Sequence, residues 1–189
     1  MRIILIDNYD SFTWNIVHYL EQCNCQVDVI KNDAAVMPNW LLYDGCVISP
    51  GPGLPEDSGN LLVWMSSFPE SFPVLGVCLG LQAMVVLTGG NLINLSAPLH
   101  GQEGVAISTG VGEIWNEMNA KEVVAHYHSW VADSVHLPAV WKVSFVSEDN
   151  LIMAIEHVDR NWNAVQFHPE SILSNDGIRW FQFWLQSFR

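Results

Sequence analysis

Short apolar runs alternate with amphipathic stretches through the first half of the chain. Arg2–Asp7 reads as a buried strand, followed by a helix that Ser11 can cap and that runs to about Gln22. Phe12, Ile16, Tyr19 and Leu20 share one face of that helix. Val27–Ile30 is a second strand, and Pro38 opens a brief helical piece through Trp40 and Leu41. Gly45–Ser49 is a third strand; after a Pro/Gly loop comes a helical stretch, Asn60–Ser67. Pro73–Val77 is a fourth strand, and Leu79–Leu87 has helical spacing. Strand and helix in alternation predict an α/β domain whose parallel sheet is covered on both faces.

The pattern then changes. Gly104–Ser108, Val123–Tyr127, Trp141–Val146, Leu151–His157 and Asn163–Phe167 read as strands joined by short turns, which fits antiparallel additions at one side of the sheet. Asp176–Phe188 closes the chain as an amphipathic helix with Ile178, Phe181, Trp184, Leu185 and Phe188 on its apolar side. No linker, repeat or low-complexity segment interrupts residues 1–189, so a single domain is expected.

Charge narrows the function classes. The formal net charge is −13, which argues against nucleic acid and anionic membrane surfaces, because both require clustered Lys and Arg. Only 14% of residues are charged, against roughly 25% in typical domains, so much of the surface must be neutral or apolar. That favours a protein partner. The apolar stretch Val74–Leu87 is interrupted by Gly76, Gly80 and Gln82 and falls short of the ~20 residues of a membrane span. Cys23-x-Cys25 lacks a second Cys or His pair to complete a zinc site. A cytoplasmic protein with reduced cysteines is expected.

Three segments carry chemistry. Gly76-Val77-Cys78-Leu79-Gly80 sits where a buried strand hands over to a helix, the arrangement of a nucleophile elbow with sulfur in place of hydroxyl. The turn exposes the side chain at the sheet end, and the helix start favours the charged sulfur that attacks. In Gln166–Ser171, Pro169 biases His168 toward extended backbone, so that His168 and Glu170, two apart, point the same way. Glu170 then holds one ring nitrogen and leaves the other for the sulfur. Ser49-Pro50-Gly51-Pro52-Gly53 is a tight loop with a free Gly53 amide. That amide could join the Leu79 amide in an oxyanion site, or the loop could be a plain connection.

In these motifs the chain resembles the class I (triad) glutamine amidotransferases, and within them the glutaminase subunits (component II) of anthranilate synthase and aminodeoxychorismate synthase. The resemblance rests on Asp7-Asn8-Tyr9-Asp10-Ser11-Phe12, Ser49–Gly53 with Pro55, Gly76–Gln82, His100-Gly101, Tyr127-His128-Ser129 and Gln166–Ser171 with Leu173. It implies a flavodoxin-like open, mostly parallel sheet with helices on both faces and antiparallel additions in the C-terminal half. It also implies Cys78 as nucleophile, His168 as base and acid, Glu170 as orienter, and an oxyanion hole of Gly53 and Leu79. Gly51, Pro52, Gly53, Gln82, Ser129 and Trp130 occupy the family's glutamine-binding positions. Three residues depart from the usual pattern. Leu81 stands where His is common, Gln102 where Lys is common and Trp130 where Leu is usual. The first two remove basic groups near the site, and the third puts a larger side chain at the glutamine pocket.

The implied reaction is hydrolysis of the glutamine side-chain amide. Nothing in the sequence looks like an ammonia acceptor, so the resemblance implies a hetero-oligomer with a chorismate-using synthase subunit. No cofactor or metal is expected in this chain, with magnesium expected on the synthase partner. The tryptophan branch is preferred, and the folate branch is the alternative. Three other readings stay open. They are a flavodoxin-like binding protein, a catalytically silent regulatory subunit, and a γ-glutamyl peptidase that needs no partner.

Overall fold

A computed structural model describes residues 1–188. Its strands are β1 (Arg2–Asp7), β2 (Gln26–Lys31), β3 (Gly45–Ile48), β4 (Val74–Val77), β5 (Leu92–Ser108), β6 (Lys121–Ala132), β7 (Trp141–Val146), β8 (Ile152–His157) and β9 (Trp162–Val165). The helices are α1 (Thr13–Gln22), α2 (Leu61–Ser66), α3 (Leu79–Leu87) and α4 (Ile178–Gln186). The strands form one sheet in the order β2-β1-β3-β4-β9-β8-β7-β5-β6. Pairing is parallel from β2 across to β9 and antiparallel from β9 to β6. With β9 as its fifth member, the parallel part has the flavodoxin-like strand order.

Strand alternation divides the core into two. Ile3, Leu5, Val47, Leu75 and Val77 face α1 and α4, packing with Leu20, Phe181 and Trp184. Ile4, Ile6, Cys46, Ile48 and Val74 face the other way, toward Leu61 and Trp64 of α2 and Leu81 of α3. Both faces are therefore covered, as the near-continuous apolar strands require.

The local expectations need four corrections. Ser11 does not cap α1; the Phe12 amide donates to Asp10 Oδ1 at 2.7 Å, so the aspartate closes the entry turn instead. Pro38 does not open the helical piece, which spans Trp40–Leu42 and is capped by Asn39 accepting from the Leu41 amide. The predicted Gly104–Ser108 strand is only the end of β5, which begins at Leu92 and is largely exposed along its first part. Its cross-strand partner β6 pairs with it in three runs, Leu92–Asn94, Leu99–His100 and Gln102–Ile107, broken by two register shifts, and that pairing stabilises polar residues which show no alternating pattern of their own. Finally, His168–Ser171 is a turn rather than extended chain, closed by the Ser171 amide donating to the His168 carbonyl at 3.2 Å.

Candidate active site

The C-terminal ends of β1, β3, β4 and β9 converge, the place where open parallel sheets bind ligands. Cys78 follows β4 directly, with φ 52° and ψ −98°. A non-glycine residue adopts positive φ only under constraint, and two glycines supply it here. A Cβ on Gly76 would lie 2.6 Å from the Gly80 carbonyl carbon, and one on Gly80 would lie 2.9 Å from the Ile48 carbonyl oxygen. Strand β4 and helix α3 thus approach as closely as backbone permits, and Cys78 is pinned at the junction. The Leu79 amide lies in the first turn of α3, where no intrahelical acceptor exists.

His168 sits in the turn after β9. Its Nδ1 is 2.8 Å from Glu170 Oε1, and both side chains are almost wholly buried. The carboxylate acceptor assigns the proton to Nδ1. Nε2 has no conventional hydrogen-bond partner among the described residues and is left to the Cys78 sulfur. Burial works against a protonated ring, yet the Glu170 carboxylate, the nearby Cys78 sulfur and the hydrogen bond to Glu170 outweigh it and hold the imidazole well above the usual histidine range.

The turn is held from several directions. The His168 amide donates to the Ala125 carbonyl at 2.9 Å, and Ser174 Oγ donates to the His168 carbonyl at 2.6 Å. The Ala125 amide donates in turn to Ser174 Oγ. Tyr127 and Phe12 lie against the imidazole at centroid distances of 5.1 and 5.6 Å. None of Phe12, Tyr127, Ala125 or Ser174 stood out as a site residue in the sequence, although Phe12 and Tyr127 lie within the motifs that carry the resemblance.

A pocket of about 200 Å³ opens beside Cys78, lined by Gly51, Pro52, Gly53, Gln82, Tyr127, His128, Ser129 and Trp130. Every residue at a predicted glutamine-binding position is therefore in one place. Gly53 has φ 76° with open space about its Cα. Gln82 donates to the Trp130 carbonyl at 2.9 Å, and Gln166, which the sequence did not single out, donates to Cys78 Sγ at 3.6 Å. Trp130 also lines a neighbouring groove with Leu54, Leu92 and Ile93. The other two departures lie elsewhere. Leu81 is fully buried in the core, so it takes no basic group from the pocket. Gln102 lines a separate cavity with His126, Glu148 and Asp149.

Beside the pocket, His126 Nδ1 and His128 Nε2 are 3.0 Å apart on one face of β6. Burial and the neighbouring imidazoles push His128 down to about 3, and burial followed by the His168 charge also lowers His126. Both rings are neutral at ordinary pH. Taken together, the site offers a thiol at a strained turn, an oriented imidazole and amides at a helix start, which are the parts that acyl transfer needs.

The family model described as glutamine amidotransferase class-I matches residues 4–187. The chain is 36% identical to anthranilate synthase component 2 of Azospirillum brasilense over 190 residues, covering 99% of this chain and 96% of that one. It is 40% identical to aminodeoxychorismate synthase component 2 of Escherichia coli K12 over 177 residues, covering 93% and 94%. Among solved structures, a Thermoplasma acidophilum protein described as a GMP synthase subunit superposes with a TM-score of 0.85 at 19% identity, covering 100% of this chain and 94% of that chain. The family model and the two full-length relatives agree with the geometry: the chain belongs to the class-I glutamine amidotransferases.

Proposed function

We propose that this chain hydrolyses L-glutamine to glutamate and ammonia and passes the ammonia to a chorismate-aminating synthase subunit, that of anthranilate synthase. The observation that carries the reading is His168, tied to Glu170 at 2.8 Å by Nδ1 with Nε2 left to the Cys78 sulfur, beside a pocket. The Cys78 thiolate attacks the side-chain amide carbon, and the carbonyl electrons move onto oxygen. The amides of Leu79 and Gly53 receive that oxyanion; one such donor is worth about 10²–10³ in rate. Protonated His168 gives its proton to the departing nitrogen as the C–N bond breaks, leaving a γ-glutamyl thioester. His168 then takes a proton from water, which attacks the thioester and releases glutamate and the Cys78 sulfur. Gly51, Pro52, Gln82, Ser129 and Trp130 hold the substrate. This chain's own residues suffice for these steps, and magnesium belongs to the partner's chemistry.

The choice of partner is supported by the relatives, several of which carry the name anthranilate synthase component 2. The test uses the chain together with each candidate synthase partner. Cys78→Ala should abolish product formation from glutamine and leave formation from ammonium salts, the latter increasing with pH as neutral NH3 accumulates. Loss of both routes while the two proteins still associate would overturn ammonia transfer. Association only with the aminodeoxychorismate synthase partner would move the chain to the folate branch.

A further inference from the structure

The loop that carries Gly53 is fixed from below by a residue outside the triad. Asn8, at the end of β1, is 2% exposed and makes three well-formed hydrogen bonds. Its amide N–H donates to Ser49 Oγ at 2.9 Å, its Nδ2 donates to the Ser49 carbonyl at 2.8 Å, and its Oδ1 accepts from Asn32 Nδ2 at 3.0 Å. Ser49 Oγ then donates to the Pro50 carbonyl at 2.7 Å. The first two carbonyls of the loop are therefore both held, so the peptide planes Ser49–Pro50 and Pro50–Gly51 cannot rotate without losing buried hydrogen bonds. Asn32 is anchored in turn, its carbonyl accepting from the Asn60 amide at 2.8 Å.

Gly51 completes the clamp. A Cβ there would lie 2.5 Å from Asn8 Cβ and 2.8 Å from Leu79 Cδ2, so its Cα is wedged between the asparagine and the start of α3. The loop is thus fixed up to Gly51 in register with Leu79. Freedom remains at the Pro52–Gly53 peptide, whose glycine has φ 76° and open space. We propose that Asn8 is a positioning residue for the oxyanion site: it sets the loop so that this one peptide presents the Gly53 N–H beside the Leu79 amide. The proposal deepens the functional reading above and rests on it for the identity of the substrate.

Two reagents separate this role from general structural support. Acylation of Cys78 by p-nitrophenyl acetate passes through a tetrahedral oxyanion, whereas alkylation by iodoacetamide is a direct displacement at carbon with no oxyanion. Asn8→Ala should slow acylation by about 10²-fold, the loss expected for a misplaced oxyanion donor. Alkylation of Cys78, followed by peptide mapping with Cys78→Ala as blank, should be unchanged in rate and in pH profile. With glutamine and the synthase partner, kcat should fall while KM holds, because the lost interaction belongs to the transition state. Ser49→Ala, which removes only the hydroxyl leg, should show the same split in smaller measure and serves if Asn8→Ala fails to fold. Unchanged acylation, a parallel fall in both reactions, or failure of both variants to fold would overturn the proposal. A wild-type complex that ignores glutamine would overturn the substrate reading instead, and the ester and iodoacetamide rates would still report on Asn8.

Discussion

The turns after β4 and β9 carry the two halves of the proposed chemistry, and they are built on opposite principles. The Cys78 turn is local. Its φ of 52° is enforced by Gly76 and Gly80, two residues to either side, and by the helix that begins at Leu79. The His168 turn is assembled from a distance. Ala125, Tyr127, Ser174, Phe12 and the start of α4 hold it, and most of these are far away in sequence. The nucleophile is thus placed by strain within one strand–helix junction. The base is placed by tertiary packing, so its geometry depends on the antiparallel half being in register.

The largest expected effect isolates the chemistry of the histidine turn from its geometry. Glu170→Gln preserves shape but replaces the acceptor on His168 Nδ1 with a group that can also donate. It removes the charge that keeps the ring protonatable. Glutamine turnover should fall by about 10²- to 10⁴-fold, by analogy with loss of the orienting carboxylate in serine hydrolases. Near-normal turnover, measured as glutamate release, would show that another group holds the imidazole.

A smaller effect compares how the two turns tolerate one added methyl. Gly177 is the N-cap of α4 and has φ −55°, a backbone conformation that alanine adopts without strain. However, its Cβ would collide with the Pro169 carbonyl oxygen, inside the histidine turn. Overpacking of this kind costs about 1–3 kcal/mol, so Gly177→Ala should destabilise. It should also lower turnover by displacing His168. Gly76→Ala should be comparable in stability loss, because its clash is with Gly80 backbone. Urea unfolding of both variants measures this, and a stabilised Gly177→Ala would mean that the turn yields freely.

The same contrast explains what was legible in the sequence. Gly76, Cys78 and Gly80 are close neighbours, so strand, turn and helix could be read from one short segment. His168 and Glu170 are also legible in the sequence, but the extended backbone it suggests is not what pairs them. Their pairing comes from a turn closed by Ser171, not from extended chain. Pro169 excludes helix from His168 yet does not say what replaces it. The role of Gly177 was hidden because its partner is the Pro169 carbonyl, and backbone contacts between distant elements leave no residue pattern. The length of β5 is hidden for a related reason: Leu92–Asn94 and His100–Gly104 are held as strand by register with β6, broken by a bulge, rather than by a periodicity of their own. Asn8 and Phe12 lie inside a motif whose physical task, holding the glycine loop and the imidazole, only the folded chain displays.

The finest test of the comparison uses acid, because the histidine turn rests on β6 and β6 carries two neutral buried imidazoles. His128 is pushed from 6.5 down to about 3, first by burial and then by His126 and His168. Below pH 6.5 the unfolded chain binds a proton at this position and the folded chain does not, so His128 makes stability fall as pH falls, across the window from 6.5 to about 3. His168 has the opposite sign. Its folded ring is raised, so its contribution is fully present below the unfolded value and is lost as pH rises through the folded one. The two histidines therefore act on different sides of neutrality and can be separated. In His128→Gln the acid penalty of that site disappears. Relative to wild type, the variant should gain about 1.4 kcal/mol for each pH unit below the unfolded histidine value, the worth of one excluded proton. Any fixed cost of the lost His126 contact is present at every pH and cancels from the slope. Urea unfolding of both proteins at several pH values between neutrality and about pH 5, above the main carboxylate range, gives that slope. Parallel curves would show that His128 takes up its proton in the folded state, and that β6 supports the histidine turn without excluding charge.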